Sequence, residues 1–488
     1  MASGTLAIGR LKAIGDDRFD LLVVGGGIVG AGVARDAASR GLRTLLVEQS
    51  DFASGTSSRS SRLLPGGLRY LAQGRIGLVR EASVEKLRLS RIAPHLCQAL
   101  PFVFPAWRGT GWARWKLALG VRIYDFLCGG SNLGRWSSHG RDELLAQVPG
   151  LRGDGLRGGV RYFDALTNDA RLVIDTLRSA AGAGATVLNY TAYESGDPAD
   201  GCWRCVIRDR LSGAIAEVRT RAVVNAAGAW APGLPHSGVR LRLTKGVHLV
   251  IDRARLPVND AVVLPEGNRI LFVIPWGERV ILGTTDTDYT GDPATVRAQA
   301  DDVGYVLGIV NTAFPAVGLG PSDVIATWAG VRPLIAPPRA RAGTPSDTSR
   351  RHTIRMTDPG WFDVAGGKLT TFRLMGEQAI DRVGRFLGAK LPRSRTAALL
   401  LARPAHSGVL PPPVGPEVVA DCCRDEWSVH LDDVLLRRTS WHAYHHDHDE
   451  IAGRVSDWMG DALGWDAARR ATELARYRVA TVADRTLP

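Results

Sequence analysis

The chain has 488 residues, of which 45% are hydrophobic and 23% charged. This balance is typical of a globular protein, excludes a disordered, collagenous or coiled-coil chain, and at this length predicts about two to four domains. Lys and Arg number 61 against 49 Asp and Glu, a formal net charge of +12 that favours phosphorylated substrates or acidic lipid as partners. Without a basic tail or a stripe of interleaved basic and aromatic residues, we expect no nucleic-acid partner.

The N-terminal residues 1–17 lack the charged-then-apolar layout of a signal peptide. The longest apolar run, Leu21 to Ala34, is rich in Gly and too short to span a bilayer. Six cysteines without the dense spacing of a disulfide scaffold fit a reducing compartment. We therefore expect a cytoplasmic protein, or one peripheral on the inner face of the cell membrane.

The first chemical motif lies in residues 20–48. The apolar run Asp20–Val24 enters a Gly-rich turn, Gly25–Gly30, and Ala31–Arg40 has the composition of a helix. A second apolar run, Thr44–Val47, ends in Glu48. This order predicts a βαβ unit.

Within this unit, Gly25, Gly27 and Gly30 form a GxGxxG motif. Gly25 permits the tight turn, Gly27 lets the backbone approach a pyrophosphate, and Gly30 lets helix and strand pack closely. Glu48 ends the next strand and is expected to accept a hydrogen bond from a ribose hydroxyl, which argues against NADP because a carboxylate repels its 2′-phosphate. The alternative is a Gly-rich turn of some other α/β protein, and the spacing alone leaves FAD and NAD open.

A second parallel-type strand, Ala222–Gly228, comes so late that the nucleotide-binding domain is predicted to be discontinuous. Further strands are predicted in a mixed sheet of an inserted substrate domain: Thr186–Tyr193, Trp203–Arg208, Val247–Ile251, Ile270–Ile274 and Val280–Gly283. The Pro-rich stretch Val331–Ser349 is predicted to be a loop. A break at Pro404–Pro416 precedes the helical pattern of Val418–Asp484.

Two clusters of metal-ligand residue types are predicted not to bind a metal. Cys202 and Cys205 form a CxxC motif in an alternating run that predicts a strand, where residues three apart face opposite sides. Without a second Cys pair, these are expected to be strand cysteines. The second cluster is predicted to be a solvated loop, since acidic residues interrupt its histidines, His442, His445, His446 and His448.

Several longer motifs follow one another from Gly25 to Thr439. They are Gly25–Glu48, Gly55–Arg62, Gly66–Tyr70, Val224–Gly228, Lys245–His248, Gly330–Leu334, Gly366–Thr371 and Leu431–Thr439. On these motifs the chain resembles the FAD-dependent glycerol-3-phosphate dehydrogenases, within the D-amino-acid-oxidase-like flavoproteins. The sequences Gly-Gly-Leu-Arg-Tyr and Gly-Gly-Lys-Leu-Thr-Thr are more specific than the dinucleotide fingerprint.

The resemblance implies an α/β fold with a Rossmann-like, discontinuous FAD-binding domain, an inserted mixed-sheet substrate domain and a C-terminal helical domain. The expected limits are a tail at 1–16, the FAD-binding domain at 17–403 with insertions at about 106–160 and 236–345, and the helical domain at 404–488. The implied cofactor is noncovalent FAD. Its expected binding residues are Gly25, Gly27, Gly30, Glu48, Thr56, Ser57, Ser58, Gly228, Gly366, Gly367, Leu369 and Thr370.

The implied reaction oxidises sn-glycerol 3-phosphate to dihydroxyacetone phosphate and passes electrons to quinone. Arg69 and Tyr70 match family positions at the substrate phosphate, where Arg offers forked donors. Arg350 matches a further phosphate position and Arg332 a position near the reacting hydroxyl. For Arg69 and Arg350 the alternative is a solvated surface cation.

Two residues are expected at the reaction centre itself. Lys368 precedes the helix-compatible run Leu369–Val383, so an ammonium and a helix N-terminus are expected to stabilise a reduced flavin. His248 matches the family's site histidine and is the candidate base for the hydroxyl proton. The alternative for His248 is a hydrogen-bonded strand histidine without a catalytic role.

One position departs from the family. Pro65 stands where the family has His before Gly-Gly-Leu-Arg-Tyr, and its side chain can neither donate, accept nor titrate. The alternatives to the implied reaction are an oxygen-using oxidase, a relative acting on another phosphorylated or carboxylated alcohol, and a non-catalytic flavin-bearing scaffold. Pro65 is the only sequence argument for the scaffold. The presence of Arg69, Arg332 and Lys368 argues against the scaffold.

The segment Pro105–Leu127 carries Trp112 and Trp115 among basic residues. This combination predicts an interfacial segment on an anionic membrane, and the alternative is a helix packed beneath the substrate domain. Membrane association would fit quinone as electron acceptor. A homodimer is also left open.

Overall fold

The computed structural model describes residues 11, 14, 18–71, 74–129, 132–267, 269–336 and 352–485. Within these ranges the chain forms two mixed β-sheets with packed helices and a C-terminal group of helices. The helices are α1 (Ile28–Ser39), α2 (Leu68–Leu71), α3 (Ile76–Ile92), α4 (Arg114–Leu127), α5 (Arg141–Gln147), α6 (Asp169–Gly182), α7 (Ala300–Ala313), α8 (Phe372–Phe386), α9 (Pro416–Asp425), α10 (Trp441–Tyr444), α11 (His448–Leu463) and α12 (Ala467–Arg485).

The first sheet has a parallel centre. Its strands are β1 (Arg18–Val24), β2 (Thr44–Val47), β7 (Thr186–Leu188), β8 (Thr191–Ala199), β9 (Cys202–Asp209), β10 (Ile215–Asn225), β17 (His352–Asp358) and β18 (Trp361–Gly366). Strands β18, β10, β1, β2 and β7 lie side by side and run parallel. Helix α1 supplies the crossover that the parallel pair β1–β2 requires. The predicted βαβ unit and the late second strand are confirmed.

The carboxyl ends of these parallel strands meet at one edge of the first sheet. Val24 of β1 lies opposite both Val47 of β2 and Asn225 of β10, and Asn225 lies opposite Asp363 of β18. The loops that follow the strands therefore come together. In open α/β sheets this edge is where nucleotides bind.

Two helices cross closely above the parallel strands. A Cβ atom built on Gly376 of α8 would lie 2.4 Å from the backbone oxygen of Gly32 in α1. Only glycine permits this approach, which packs Phe372 and Val33 into the same buried core. The crossing fixes the segment that leads into α8 against the Gly-rich turn before α1.

The second sheet is mixed and holds the predicted strands of the substrate domain. Its strands are β3 (Leu63–Leu64), β4 (Gln98–Trp107), β5 (Ser137–His139), β6 (Leu156–Leu166), β11 (Leu241–Asp252), β12 (Ala261–Glu266), β13 (Arg269–Trp276), β14 (Arg279–Gly283), β15 (Thr287–Asp288) and β16 (Val324–Ile335). The strands predicted at Val247–Ile251, Ile270–Ile274 and Val280–Gly283 are confirmed within β11, β13 and β14. The residue limits of the domains stay a prediction.

The predicted strand Thr186–Tyr193 is wrong as one element. The chain breaks at Tyr190, whose φ of +50° is incompatible with a strand, and forms β7 and β8 on either side. Both strands, and β9 with Trp203–Arg208, belong to the first sheet and not to the inserted one. Alternating hydrophobicity identified the strands but carried no information on which sheet they join.

The predicted loop at Val331–Ser349 is wrong for its first five residues. Strand β16 continues through Ile335 because β11 pairs with it along its length, with Pro333 opposite Leu243. Pairing with a neighbouring strand therefore outweighs the local preference of a Pro-containing sequence. Residues 337–351 lie outside the described part of the chain.

The C-terminal region is helical, as predicted, and packs around a core of its own that includes Trp441 and Tyr477. The segment 404–415 has neither helix nor strand, which confirms the predicted break. The solvated loop predicted at the histidine cluster is wrong for His448, which begins α11, and for His442. This residue is 2% exposed in α10, and its Nδ1 lies 2.8 Å from the hydroxyl of Tyr477.

Candidate active site

A cavity of about 730 Å³ lies at the carboxyl edge of the first sheet. Four segments that leave the parallel strands line it: Gly25 follows β1, Glu48 follows β2, Gly228 follows β10 and Gly366 ends β18. The sequence predicted all four as cofactor-binding residues. The fold brings them together although 341 positions separate the first from the last. We call this space the nucleotide cavity.

The Gly-rich turn has the backbone geometry that only glycine provides. Gly25 has a φ of +111°, and a Cβ atom on it would lie 2.6 Å from the carbonyl oxygen of Ala226. A Cβ atom on Gly30 would lie 1.9 Å from the carbonyl oxygen of Gly25. Helix α1 therefore begins directly against the turn, and Gly27 and Ile28 at its start line the cavity. A helix N-terminus at this position favours a bound pyrophosphate.

Glu48 is held at the cavity wall by two backbone donors. Its Oε2 accepts a hydrogen bond of 2.8 Å from the Gly26 amide, and its Oε1 accepts one of 2.9 Å from the Ser50 amide. Burial raises the pKa of the Glu48 carboxyl above its ordinary value, and the two hydrogen bonds oppose this shift. These two hydrogen bonds fix the orientation of the Glu48 side chain, which is available to accept a hydrogen bond from a ribose hydroxyl.

The short 3₁₀ turn Thr56–Ser58 joins the two sheets. The hydroxyl of Ser57 accepts a 3.0 Å hydrogen bond from the Ile28 amide, and the hydroxyl of Thr56 donates a 2.7 Å bond to the carbonyl of Val331 in β16. Both residues line the nucleotide cavity. Ser58, which was predicted with them as a cofactor-binding residue, lies in the turn but does not line the nucleotide cavity.

A second cavity, of about 340 Å³, adjoins the nucleotide cavity and lies between the two sheets. We call it the reaction cavity. The two cavities share the wall residues Ile28, Thr56, Ser57, Arg59, Pro333, Gly366, Gly367, Lys368 and Leu369. Three predicted side chains line the reaction cavity from different elements: His248 in β11, Arg332 in β16 and Tyr70 in α2. Thr370, which was predicted as a cofactor-binding residue, also lines the reaction cavity.

The charges of the reaction cavity suit an anion. Arg59, Arg332 and Lys368 line it. Two of the carboxylates that line it are ion-paired within the protein: Asp164 lies 2.8 Å from Lys86, and Asp286 lies 3.3 Å from Arg332. Asp164 is thus balanced by Lys86, which does not line the cavity, whereas Asp286 offsets part of the positive charge of Arg332.

His248 is almost completely buried, with 1% of its surface exposed, although it lines the cavity. Its Nε2 lies 2.8 Å from the hydroxyl of Ser61, and its ring stacks on Trp328 at a centroid distance of 5.4 Å. Burial, followed by the positive charges of Arg332 and Arg62, lowers the pKa of His248 to about 3. The imidazole is therefore neutral near pH 7, as a base must be.

Arg332 is positioned by hydrogen bonds to the loop after β14. Its Nη2 donates a hydrogen bond of 2.9 Å to the hydroxyl of Thr284. Its Nη1 donates hydrogen bonds of 3.2 Å to the carbonyl of Thr285 and of 3.3 Å to the carboxylate of Asp286. A Cβ atom on Gly246 would lie 2.3 Å from Nη2. The absence of a side chain at Gly246 thus gives the guanidinium its space beside β11.

Lys368 and Tyr70 are in direct contact. The Lys368 Nζ lies 3.9 Å from the centroid of the Tyr70 ring, a distance at which a cation is attracted to the ring face. Gly67, with a φ of +91°, lets the Gly66–Gly67 turn pass beside both side chains. Helix α8 begins at Phe372, so a 3₁₀ turn separates Lys368 from the helix that was predicted to start at Leu369.

Two predicted phosphate ligands cannot be located in the same way. The backbone of Arg69 lies in α2, but its side chain lies outside the described part of the chain. Arg350 lies wholly outside the described residues. The position of α2 next to the reaction cavity nevertheless brings the backbone of Arg69 to the expected wall.

Three residues of the reaction cavity were missed by the sequence analysis. Ser61 forms the hydrogen bond to His248, Arg59 lines both cavities, and Arg269 of β13 lines the outer wall. Ser61 and Arg59 lie inside the motif Gly55–Arg62, so their membership in it was the available signal. No sequence pattern marks Arg269.

Pro65 lines the reaction cavity, and its backbone takes part in a hydrogen bond there. Its carbonyl accepts a 3.2 Å hydrogen bond from the hydroxyl of Thr370. This bond ties the Gly66–Gly67 turn to the loop after β18 without a side-chain group at residue 65. Pro65 therefore preserves the joint between these loops, and its side chain carries no titratable group.

The donor set of the two cavities fits FAD. A Gly-rich turn and a helix N-terminus suit the pyrophosphate, a fixed carboxylate suits the ribose, and a buried cavity at the far end suits the ring system. Gly25, Gly27, Glu48, Gly366 and Lys368 would hold the cofactor at these positions. The flavin would supply a hydride acceptor beside the substrate carbon.

Comparisons with known proteins agree with this geometry. The family model described as "FAD dependent oxidoreductase" matches residues 20–381. A glycerol-3-phosphate dehydrogenase 2 of Mycobacterium bovis is 36% identical over 96% of this chain and 88% of its own. The crystal structure of the glycerol-3-phosphate dehydrogenase of Bacillus halodurans complexed with FAD is 27% identical, with a TM-score of 0.79 over 99% of this chain and 98% of that one.

A more distant structure shares the fold. The L-alpha-glycerophosphate oxidase of Mycoplasma pneumoniae with FAD bound is 18% identical and has a TM-score of 0.62 over 80% of this chain and 100% of that one. The family match covers well over half of the chain, and its expected cofactor, FAD, agrees with the cavities. The chain belongs to the FAD dependent oxidoreductase family and, within it, to the glycerol-3-phosphate dehydrogenases.

Proposed function

We propose that the chain oxidises the secondary hydroxyl of sn-glycerol 3-phosphate to the ketone of dihydroxyacetone phosphate, with FAD as hydride acceptor. One observation carries the proposal. A neutral buried histidine, His248, and two cations, Arg332 and Lys368, converge on a single cavity that adjoins the nucleotide cavity. The names of the relatives supply the substrate class that these groups suit.

The cations divide the work of binding. Lys368 and Arg59 line the wall shared with the nucleotide cavity, while Arg332 approaches from the second sheet near His248. We assign Arg332 to the reacting hydroxyl, and we assign Arg69, Tyr70 and Arg350 to the substrate phosphate on the basis of the family resemblance. Charge-assisted hydrogen bonds from such groups are roughly twice as strong as neutral ones.

His248 takes the hydroxyl proton in this proposal. Burial is the largest cause of the pKa of about 3 of His248, and the charges of Arg332 and Arg62 lower the pKa further. A phosphate dianion in the cavity offsets positive charge around the imidazole and thereby raises its pKa. Substrate binding itself strengthens the base.

The proposal extends to a membrane surface, which is where a quinone would be met. Helix α4 buries Leu117, Val121 and Tyr124 on its inner face. Its outer face exposes an apolar stripe with i, i+4, i+8 and i+11 spacing: Trp115 is 66% exposed, Leu119 52%, Ile123 38% and Phe126 79%. Trp112, the other predicted membrane anchor, instead packs its ring on that of Phe104, with 5.1 Å between the ring centroids.

Basic residues border this stripe. Arg114, Lys116 and Arg122 are exposed on α4, whose one acidic residue is Asp125. An apolar face flanked by cations matches the chemistry of an anionic bilayer surface, in which the apolar side chains enter the headgroup boundary. Among the described residues, every helix is either too short or too polar to cross a bilayer. We propose that α4 lies on the membrane.

A dye-linked assay on the FAD-loaded protein tests the proposed function. We expect kcat/KM for glycerol 3-phosphate to exceed that for glycerol by about 100-fold, since two charge-assisted hydrogen bonds to the phosphate are worth at least this much. Equal use of both would contradict the phosphate site. A lack of activity with any phosphorylated or carboxylated alcohol would favour a non-catalytic flavoprotein.

The electron acceptor needs a separate comparison. The same protein is supplied with glycerol 3-phosphate and either dissolved oxygen or a short-chain quinone under nitrogen. We expect faster turnover with the quinone. Faster turnover with oxygen, together with peroxide formation, would assign the chain as an oxidase.

A further inference from the structure

Ser61 and His248 meet at the wall of the reaction cavity. Both residues line the cavity, but Ser61 is half-buried while His248 is 1% exposed. The hydroxyl of Ser61 lies 2.8 Å from Nε2 of His248. The other ring nitrogen, Nδ1, is buried and has no hydrogen-bond partner among the described residues. Of the two residues, Ser61 is therefore the more exposed one at this wall.

The backbone directly before Ser61 is fixed by two hydrogen bonds of Ser60. The carbonyl of Ser60 accepts a 3.1 Å hydrogen bond from the indole of Trp328, the residue on which His248 stacks. The amide of Ser60 donates a 2.9 Å bond to Asp169 at the start of α6. Ser61 and His248 are thus held to the same indole, so their contact is built into the packing.

From this arrangement, and resting on the proposed function, we propose that Ser61 is a catalytic residue that contacts the substrate hydroxyl and relays its proton to His248. The hydroxyl O–H bond of the substrate breaks and its proton passes to Oγ of Ser61, while the proton of Ser61 passes to Nε2 of His248. The electron pair of the broken O–H bond forms the second C–O bond of the ketone. The substrate carbon is oxidised by loss of a hydride to the flavin, which is reduced, so atoms and electrons balance.

The relay lets a histidine that is 1% exposed receive the substrate proton through the more exposed hydroxyl of Ser61. The relay requires the tautomer in which the neutral ring accepts at Nε2 and carries its own proton at Nδ1. Ser61 is then both donor to the ring and acceptor from the substrate. A purely structural role for Ser61 would require only the first of these two hydrogen bonds.

Three variants test the relay by anaerobic flavin reduction in a stopped-flow instrument. Ser61→Ala should slow reduction by about 100-fold, the lower end for acid–base catalysis, with substrate affinity changed less than twofold. Ser61→Thr keeps a hydroxyl and should recover most of the rate. Ser90→Ala, which removes a hydroxyl bonded to its own helix through the Leu87 carbonyl, is the matched control and should leave the rate unchanged.

Mixtures of light and heavy water separate a relay from a positioning role. The wild-type rate should depend on deuterium content along a curve, because two protons move together, and the residual rate of Ser61→Ala should depend on it linearly. A linear dependence in the wild type, or a wild-type rate in Ser61→Ala, would overturn the relay.

Histidine-selective 15N NMR gives a readout that needs no turnover. With the His248 signals assigned from a His248→Gln sample, the wild type should show Nδ1 protonated and Nε2 accepting, and Ser61→Ala should shift Nε2 toward an unbonded imine. Unchanged shifts would overturn the relay. If glycerol 3-phosphate fails to reduce the wild-type flavin, the proposed substrate is wrong, and the NMR comparison still decides whether Ser61 holds Nε2.

Discussion

Asp51 and Arg438, 387 positions apart in the chain, form a buried two-point ion pair that joins the nucleotide-binding sheet to the C-terminal helices. The Nη2 of Arg438 donates a hydrogen bond of 2.8 Å to Oδ1 of Asp51, and its Nη1 donates a second hydrogen bond to Oδ2. Arg437 donates to the same Oδ2 and also lines the nucleotide cavity. Burial alone would raise the pKa of Asp51, but Arg438 and Arg437 outweigh burial and lower it.

Asp51→Asn should destabilise the protein strongly. The substitution leaves two buried arginines without their shared counter-charge, a loss that typically costs about 3–5 kcal/mol. The midpoint of chemical denaturation measures the effect. The control is Asp288→Asn, which breaks a two-point pair with Arg242 at 2.7 Å on the exposed rim of the second sheet and should cost at most about 1 kcal/mol. Equal losses in both variants would contradict the structural weight given to Asp51.

His248 should make stability depend on pH. Its folded pKa of about 3 lies below the unfolded value of about 6.5, so the unfolded state binds more protons and stability falls as pH falls from 6.5 toward 3. Between pH 7 and pH 5 the wild type should lose about 2 kcal/mol from this group.

Denaturation midpoints at the two pH values measure this loss. His248→Gln should lose less stability than the wild type over the same interval. The exposed His446 provides the control, since His446→Gln should keep the wild-type difference. A His248→Gln protein as acid-sensitive as the wild type would show that the imidazole is not held neutral by the fold.

The sequence predicted those parts of the fold and site that depend on neighbouring residues. Gly25 to Glu48 is a local unit of strand, turn, helix and strand, so its geometry follows from nearby residues. The contact of Ser61 with His248 spans 187 positions and depends on where β11 lies relative to the turn before β3. No local pattern encodes such a distance.

The errors have the same physical origin. Pro333 predicts a loop by its own preference, but β11 pairs with β16 through that position. His442 shortly precedes a polar run in the sequence, residues 445–450, yet the packing of α10 against Tyr477 buries it. Asp51 carries no sequence signal because its partners, Arg437 and Arg438, lie 386 and 387 positions away in the chain.

Gly27→Val should abolish FAD binding. A Cβ atom at this position already lies 3.1 Å from the hydroxyl of Ser57, and the valine methyl groups would occupy the space that a pyrophosphate needs. Flavin content after reconstitution measures the effect, and circular dichroism checks the fold. Gly308→Val is the control, because a Cβ atom there meets no atom within 4 Å. Full flavin content in Gly27→Val would contradict the pyrophosphate assignment.

Helix α4 should bind vesicles that contain anionic lipid. Binding should fall as salt rises, since charges are screened over about 10 Å at 0.1 M ionic strength. Replacing Trp115 and Phe126 together with Ser should weaken binding, measured by vesicle sedimentation, because both side chains are exposed on the stripe. The control is Leu400→Ser, which removes an exposed apolar side chain elsewhere. Wild-type protein that ignores anionic vesicles at low salt would contradict the membrane assignment.

Anaerobic titration of the FAD-loaded protein tests the central claim most directly. Glycerol 3-phosphate is added in small steps while the absorption band of oxidised flavin is followed, and dithionite establishes full reduction. We expect glycerol 3-phosphate to bleach the band, with one dihydroxyacetone phosphate formed per flavin reduced. Glycerol at the same concentration should leave the flavin oxidised. A band that dithionite removes but glycerol 3-phosphate does not would contradict the central claim.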